Sequence, residues 1–341
     1  MTYVTPCPKG FIVTLTESRA REPRRRVSHH PCRTALAAAL LLATLGATSP
    51  PPPSLLIATP TFLMYAEGDH RQPAVAGGRA AGYHVLSTLA DGSALVGYDD
   101  DLFTAVESVT PALEARRVKT FPRGTTFFPG NDGFLAYDGA SQLLRRYDAR
   151  GTLIGSPVLP SGITSALGVG DSIVVLGAGR LQVYDRGGRM RRVAAIEGNA
   201  LAALPDSRFA VNDVRDGEVR AYTTELEQTA TLRYVGLPAR TIASAPDGAL
   251  AVLAGTPSCV TSDAEVDVFT DLHAQPVARI HTGITAPLAL AVGPGYVYIA
   301  NGSCQRDQDG SISIFTREGT SAGTMQNIGT PTSILPFRLS P

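Results

Sequence analysis

Short apolar runs separated by turn residues recur along this chain from about Tyr83 to Ile328, always as the same phrase. In the last copy, Pro287 to Thr316, the runs LALAV and YVYIAN flank a Gly293-Pro294-Gly295 turn, and a polar loop leads to the alternating run SISIF. Runs this short, bounded by Gly, Pro and Asp, predict antiparallel strands. The same order surrounds Asp247-Gly248, with TIASA before it, ALAVLAG after it and EVDVFT at the close. It surrounds Pro205-Asp206-Ser207 with LAAL, RFAVND and EVRAYT, and Gly170-Asp171-Ser172 with SALGV, IVVLG and LQVYD. Asn131-Asp132-Gly133 is followed by FLAYD and LLRRYD, and Asp91-Gly92-Ser93 stands between VLSTLA and ALVGYD.

The turns start at 91, 132, 171, 206, 247 and 294, giving offsets of 41, 39, 35, 41 and 47 residues. A four-stranded propeller blade has a period of about 40 residues. Each third strand ends in Tyr or Phe followed by Asp or Thr. A less apolar fourth strand comes next, as in GTLIGSPV after Tyr147-Asp148 and ARIHTG after Phe269-Thr270. One such sheet cannot bury its own faces, so the copies must stack around an axis. A β-sandwich also spaces short strands regularly but does not repeat a whole four-strand phrase, and a leucine-rich solenoid needs rungs of about 20 to 30 residues. The pattern therefore predicts an all-β fold, a β-propeller of four-stranded antiparallel blades. PTSILPF (Pro331 to Phe337) reads as an isolated innermost strand, and Ser54 to Gly77 holds strands that lack one. Joining the two in one blade closes the ring at seven. If Leu55 to Val75 instead packs across an outer surface, the count is six.

Residues 1 to 34 carry seven Lys/Arg against two Glu, a net of +5, and ALAAALLLATLGA (Ala35 to Ala47) follows. A basic stretch, a short apolar segment, small residues and then the prolines 50 to 53 are the order of a secretory signal. A run of thirteen residues is too short to cross a bilayer of about 30 Å as a helix. The expected organisation is a signal peptide over 1–47 with a long basic region, a Pro-rich spacer over 48–54 and one propeller domain over 55–341, secreted or periplasmic and monomeric. From residue 48 onward 23 Lys/Arg stand against 28 Asp/Glu, a net of −5, which disfavours a nucleic-acid partner.

Two of the four cysteines lie beyond the leader in the propeller, Cys259 in LAGTPSC and Cys304 in IANGSC, in matching loops of consecutive copies. Adjacent blades set equivalent loops side by side, and an exported chain meets an oxidising compartment, so a Cys259–Cys304 disulfide is expected. A pair of free thiols is the competing reading.

The loops after the second strands share one face with the connections between blades. They place Asp99, Asp138, Asn212, Asp213 and Asn301 around the channel mouth as ligand-face candidates. Oxygen-bearing side chains in a ring suit a hard cation such as Ca²⁺, with Asn212, Asn301 and Asp138 as its ligands. The same residue types also cap turns throughout β proteins. No HExxH, nucleophile elbow or P-loop accompanies them. Arg189, Arg191 and Arg192, with Arg145 and Arg146 one copy earlier, form a basic patch on what reads as a solvated outer face.

The phrases GYVYIANGSCQRDQDGSISIFT and APDGALAVLAG resemble the repeats of NHL- and YVTN-type propellers over most of residues 83 to 328. That resemblance implies architecture first. Its families include extracellular ligand-binding proteins, scaffolds and metal-dependent sugar lactonases of the gluconolactonase type, which hold a divalent metal with a Glu, two Asn and an Asp. Asn212 and Asn301 match the amides and Asp99 or Asp138 the acid; no Glu stands in an equivalent loop. The expected function is a non-enzymatic, cofactor-free binding propeller for a protein, peptide or glycan on its loop-rich channel face, with the metal-dependent lactonase or esterase as the alternative.

Overall fold

The computed structural model describes residues 54–68, 70–74, 81–234, 239–255, 264–270, 272, 275–282, 286–302 and 310–338. Every regular element among them is a strand, and the strands form seven four-stranded antiparallel sheets. Among the described residues no helix is long and apolar enough to cross a membrane. Blades II to VII are continuous in sequence. Their innermost strands are Ala81–Thr88, Thr126–Gly130, Ser165–Val169, Gly198–Leu204, Ala239–Ser244 and Pro287–Gly293. Blade I is composite. Ser333–Pro336 from the C-terminal end pairs with Ser54–Ala58, which pairs with Leu63–Glu67 and then His70–Pro73. The chain is thus a seven-bladed β-propeller, and its two ends share a blade as the isolated PTSILPF strand predicts.

The core explains why the sheets stack. Seven clusters of buried side chains each draw on two neighbouring blades. One joins Phe209 and Tyr222 of blade V to Leu167 and Val174 of blade IV, and another joins Leu55 and Ile57 of blade I to Tyr298 and Ile314 of blade VII. Burying a side chain of this size contributes roughly 1.5 to 3 kcal/mol. Each face therefore becomes stable only when the next blade covers it, and closure leaves no interface open. Hydrogen bonds reinforce the seam between the ends. Val85 N–H donates to Ser333 Oγ at 2.8 Å, and Thr332 Oγ1 donates to the carbonyls of Tyr83 and Ala58 at 3.0 and 3.2 Å.

The residue after each third-strand aromatic has a local task. Asp148 Oδ1 accepts from the N–H groups of Arg150 and Thr152, Asp185 Oδ1 from Arg189, and the hydroxyls of Thr223 and Thr316 from Glu227 and Thr320. These side chains close the outer hairpins. The aromatics Tyr147, Tyr184 and Tyr222 before them are buried, as is Phe269 at the same place in blade VI. Several inner hairpins turn on glycines at positive φ, among them Gly92 (82°) and Gly248 (91°), a conformation open to glycine without steric cost, whereas that of blade V places Asp206 and Ser207 there.

Candidate functional site: the channel mouths

The propeller has two ends. At one lie the inner hairpins; at the other lie the loops after the second strands, where the sequence places its candidates. Strand register fixes that assignment. Asp99 pairs with Ala81, Asn212 with Ala200 and Asn301 with Pro287, all at or near the beginnings of innermost strands.

Each candidate is held by its own surroundings. Asp99 Oδ1 accepts from the Thr104 hydroxyl at 2.8 Å. Asp138 accepts from the Ser141 hydroxyl at 2.6 Å and from Ala140 N–H at 3.0 Å, and these bonds, the hydroxyl foremost, hold its carboxyl below the usual range. Asn212 is fully buried. Its Nδ2 donates to Asn199 Oδ1 at 2.6 Å and to the Ala239 carbonyl at 3.0 Å, tying blade V to blade VI. Asp213 accepts from Arg215 N–H at 3.1 Å and pairs with Arg220 at 3.0 Å. Asn301 donates to the hydroxyls of Ser311 and Ser313 at 3.2 and 3.3 Å, while its buried Oδ1 has no partner among the described residues.

These five residues lie in blades II, III, V and VII, and no described hydrogen bond links one of them to another. Among the described residues no three His, Cys, Asp or Glu side chains group as metal ligands. The segments 75–80, 235–238, 256–263, 283–285 and 303–309 fall outside the described residues. Cys259 and Cys304 lie in two of them.

At the inner-hairpin end the channel widens into a cavity of about 780 Å³. It is lined by the final residues of the innermost strands and by their turns. The half-buried Leu86, Leu201, Ala203, Ala243, Leu290 and Leu335 line its wall, contributed by four of the blades and the closing strand. A mostly apolar concavity with a few polar groups at its rim is the ordinary form of a ligand site. The rim is braced by Arg317, which donates to the Gly293 carbonyl at 2.7 and 3.0 Å and to Asp247 Oδ2 at 2.7 Å. Arg317 is the main reason that the Asp247 carboxyl sits below its usual range. Tyr298, which also lines the cavity, has its phenol pushed up to about 12, chiefly by burial and next by Tyr296 beside it.

Sequence reading does not single out this wall. In sequence it shows only in that LAAL and LALAV are apolar on both faces, where a one-sided strand would alternate.

No protein-family model matches the chain, and no curated protein matches it. Solved structures do. A protein from Lactobacillus plantarum aligns over 83% of this chain and 98% of its own, with a TM-score of 0.56 at 13% identity. Hsv2 from Kluyveromyces marxianus aligns over 81% and 99%, with 0.55 at 9%. A chain of the mitotic checkpoint complex aligns over 75% and 94%, with 0.53 at 13%. At such identities the likeness establishes the fold, a β-propeller, and nothing narrower.

Proposed function

We propose that this chain is an exported, non-enzymatic binding propeller whose ligand is a protein or peptide segment that inserts apolar side chains into the channel at the inner-hairpin end. The carrying observation is the cavity of about 780 Å³ walled by Leu, Ile and Ala from the innermost strands. Such a lining rewards an apolar side chain by about 25 cal/mol per Å² removed from water and offers a glycan few hydrogen-bond partners. A protein partner is in keeping with the fold, since a chain of similar fold belongs to the mitotic checkpoint complex. Export rests on the leader, with cleavage near Ala47, and the disulfide between Cys259 and Cys304 goes with it. Intact mass with and without reductant tests the bridge, which requires a gain of two hydrogens on reduction.

Selection of a random peptide library against the purified propeller tests the binding site. Enriched peptides should carry apolar residues and lose at least about tenfold in affinity, or 1.4 kcal/mol, against Ala203→Arg, which places a charge in the wall, but not against Asp138→Asn. Ligands that ignore Ala203→Arg, or an enriched set without apolar residues, would overturn the assignment.

A further inference from the structure

Charge is distributed unevenly around the ring. Between residues 104 and 195 twelve Lys/Arg stand against seven Asp/Glu, whereas the rest of the chain from Ser54 onward carries eleven against twenty-one. The fold turns that stretch into a place, because it comprises the two outer strands of blade II and all of blades III and IV. The outer hairpin turns of blades III and IV lie on the outer strand of the preceding blade. Lys119 Nζ donates to the Gly151 carbonyl at 3.2 Å, and Ser156 N–H donates to the Arg186 carbonyl at 3.0 Å. The approach is close enough that a Cβ on Gly155 would come to 2.1 Å from the Arg186 carbonyl oxygen, and one on Gly188 to 2.8 Å from that of Pro157. The strands Ala115–Phe121, Leu153–Val158 and Met190–Ala195 thus join through two turns into one continuous outer wall.

On this wall Arg116, Arg150, Arg186 and Arg189 are exposed and have no acidic partner among the described residues. Arg117, Arg191 and Arg192 are paired, with Glu107, Asp185 and Glu225. Between the guanidinium groups stand Leu153, Met190 and Val193, exposed by 46%, 55% and 51%. Arg146, by contrast, is buried behind the wall and does not belong to it.

We propose that the wall is a docking surface for an acidic polypeptide segment lying extended along the outer strands of blades III and IV. Its carboxylates would meet Arg150, Arg186 and Arg189, and its apolar side chains would cover Leu153, Met190 and Val193. Two features favour a polypeptide over other polyanions. Guanidinium groups pair with phosphates as well as carboxylates, but the exposed Leu153, Met190 and Val193 of the same wall call for apolar side chains, which a polypeptide supplies along with its carboxylates. The outer strand of blade IV ends its sheet, and the edge of a sheet presents backbone N–H and C=O groups for strand addition. A duplex would also meet the acidic remainder of the ring.

The test uses the purified chain and a fluorescent peptide of about ten residues, one strand's length, alternating Glu with Val and Leu. A second peptide carries Lys in place of Glu. The Glu peptide should bind, weaken with added salt, and lose at least about tenfold in affinity in the triple variant Arg150→Gln, Arg186→Gln, Arg189→Gln. Thermal unfolding of that variant should match the parent, and Ala203→Arg should leave this binding unchanged, which separates it from the channel site. Absence of binding, equal binding of the Lys peptide, an unaffected triple variant, or tighter binding to duplex DNA or anionic vesicles would each overturn the proposal.

Discussion

Phe337→Ala tests whether the closing strand is an integral part of the ring. Phe337 is 2% exposed, and its ring meets Tyr65 edge-on with centroids 6.3 Å apart. It shares a cluster with Leu56, Leu63 and Tyr83, so its removal opens a hole between blades I and II. The backbone bond from Phe337 N–H to the Ser54 carbonyl, 3.1 Å long, survives the substitution, which confines the effect to packing. Truncating a core Phe to Ala costs about 3 to 5 kcal/mol, a large share of a domain stability of about 5 to 15 kcal/mol. Phe134→Ala, in the fully buried centre between blades II and III, is the reference. Urea unfolding followed by tyrosine fluorescence and far-ultraviolet dichroism should show comparable losses for both variants, with unchanged m-values. The two sites lie in separate clusters, so their effects should add within about 0.5 kcal/mol. A frayed terminus opens at almost no cost. A loss below about 1 kcal/mol for Phe337→Ala, or an early partial transition seen in that variant alone, would therefore refute closure by the C-terminal strand.

The lowered Asp247 carboxyl sets a pH dependence. Its stabilising pair with Arg317 is fully present above the ordinary carboxylate range and is lost as pH falls through the lowered folded-state value. Asp247 is 56% exposed, so the effect is at most about 1 kcal/mol. Melting curves of Asp247→Asn and the parent should converge in acid, and a constant gap would contradict the pairing. Seven tyrosines, Tyr98 and Tyr298 foremost at about 12, are raised chiefly by burial. Their contribution is fully present below the ordinary tyrosine value of about 10 and falls as pH rises through the folded values. Phenolate absorbance should accordingly rise together with unfolding, and early titration of most tyrosines in a folded protein would count against it. Gly133→Ala would set a Cβ 2.0 Å from the Tyr147 carbonyl oxygen. The backbone must move, at about 1 to 3 kcal/mol or more, and a urea midpoint equal to the parent's would contradict this geometry.

The fold was legible because a propeller writes contrast into its sequence. Turn residues at 91, 132, 171, 206, 247 and 294 mark the inner hairpins, and the Asp or Thr after each third-strand aromatic marks the outer ones by capping them, as Asp148 and Thr223 do. The same contrast misdirects a search for the site. Asp213 and Asn212 stand out as polar at a channel mouth, but their polarity is consumed by Arg215, Arg220, Asn199 and Ala239. In Gly198–Leu204, Leu201 and Ala203 pack toward blade IV and Ala202 and Leu204 toward blade VI, and all four also line the cavity. All four are apolar, as core positions are, so only the closed ring shows that they also bound the channel. The basic patch was half visible for a related reason. Arg186, Arg189, Arg191 and Arg192 are near one another in sequence, but Arg116 and Arg150 join them only because the outer turns of blades III and IV lie on the preceding blade. In a closed ring of sheets, polar residues at strand ends chiefly report turns. Surfaces able to hold a partner arise where apolar or basic positions from several blades converge, and substitutions that add charge to the channel or remove it from the outer wall therefore probe binding more directly than changes to the conspicuous Asn and Asp residues.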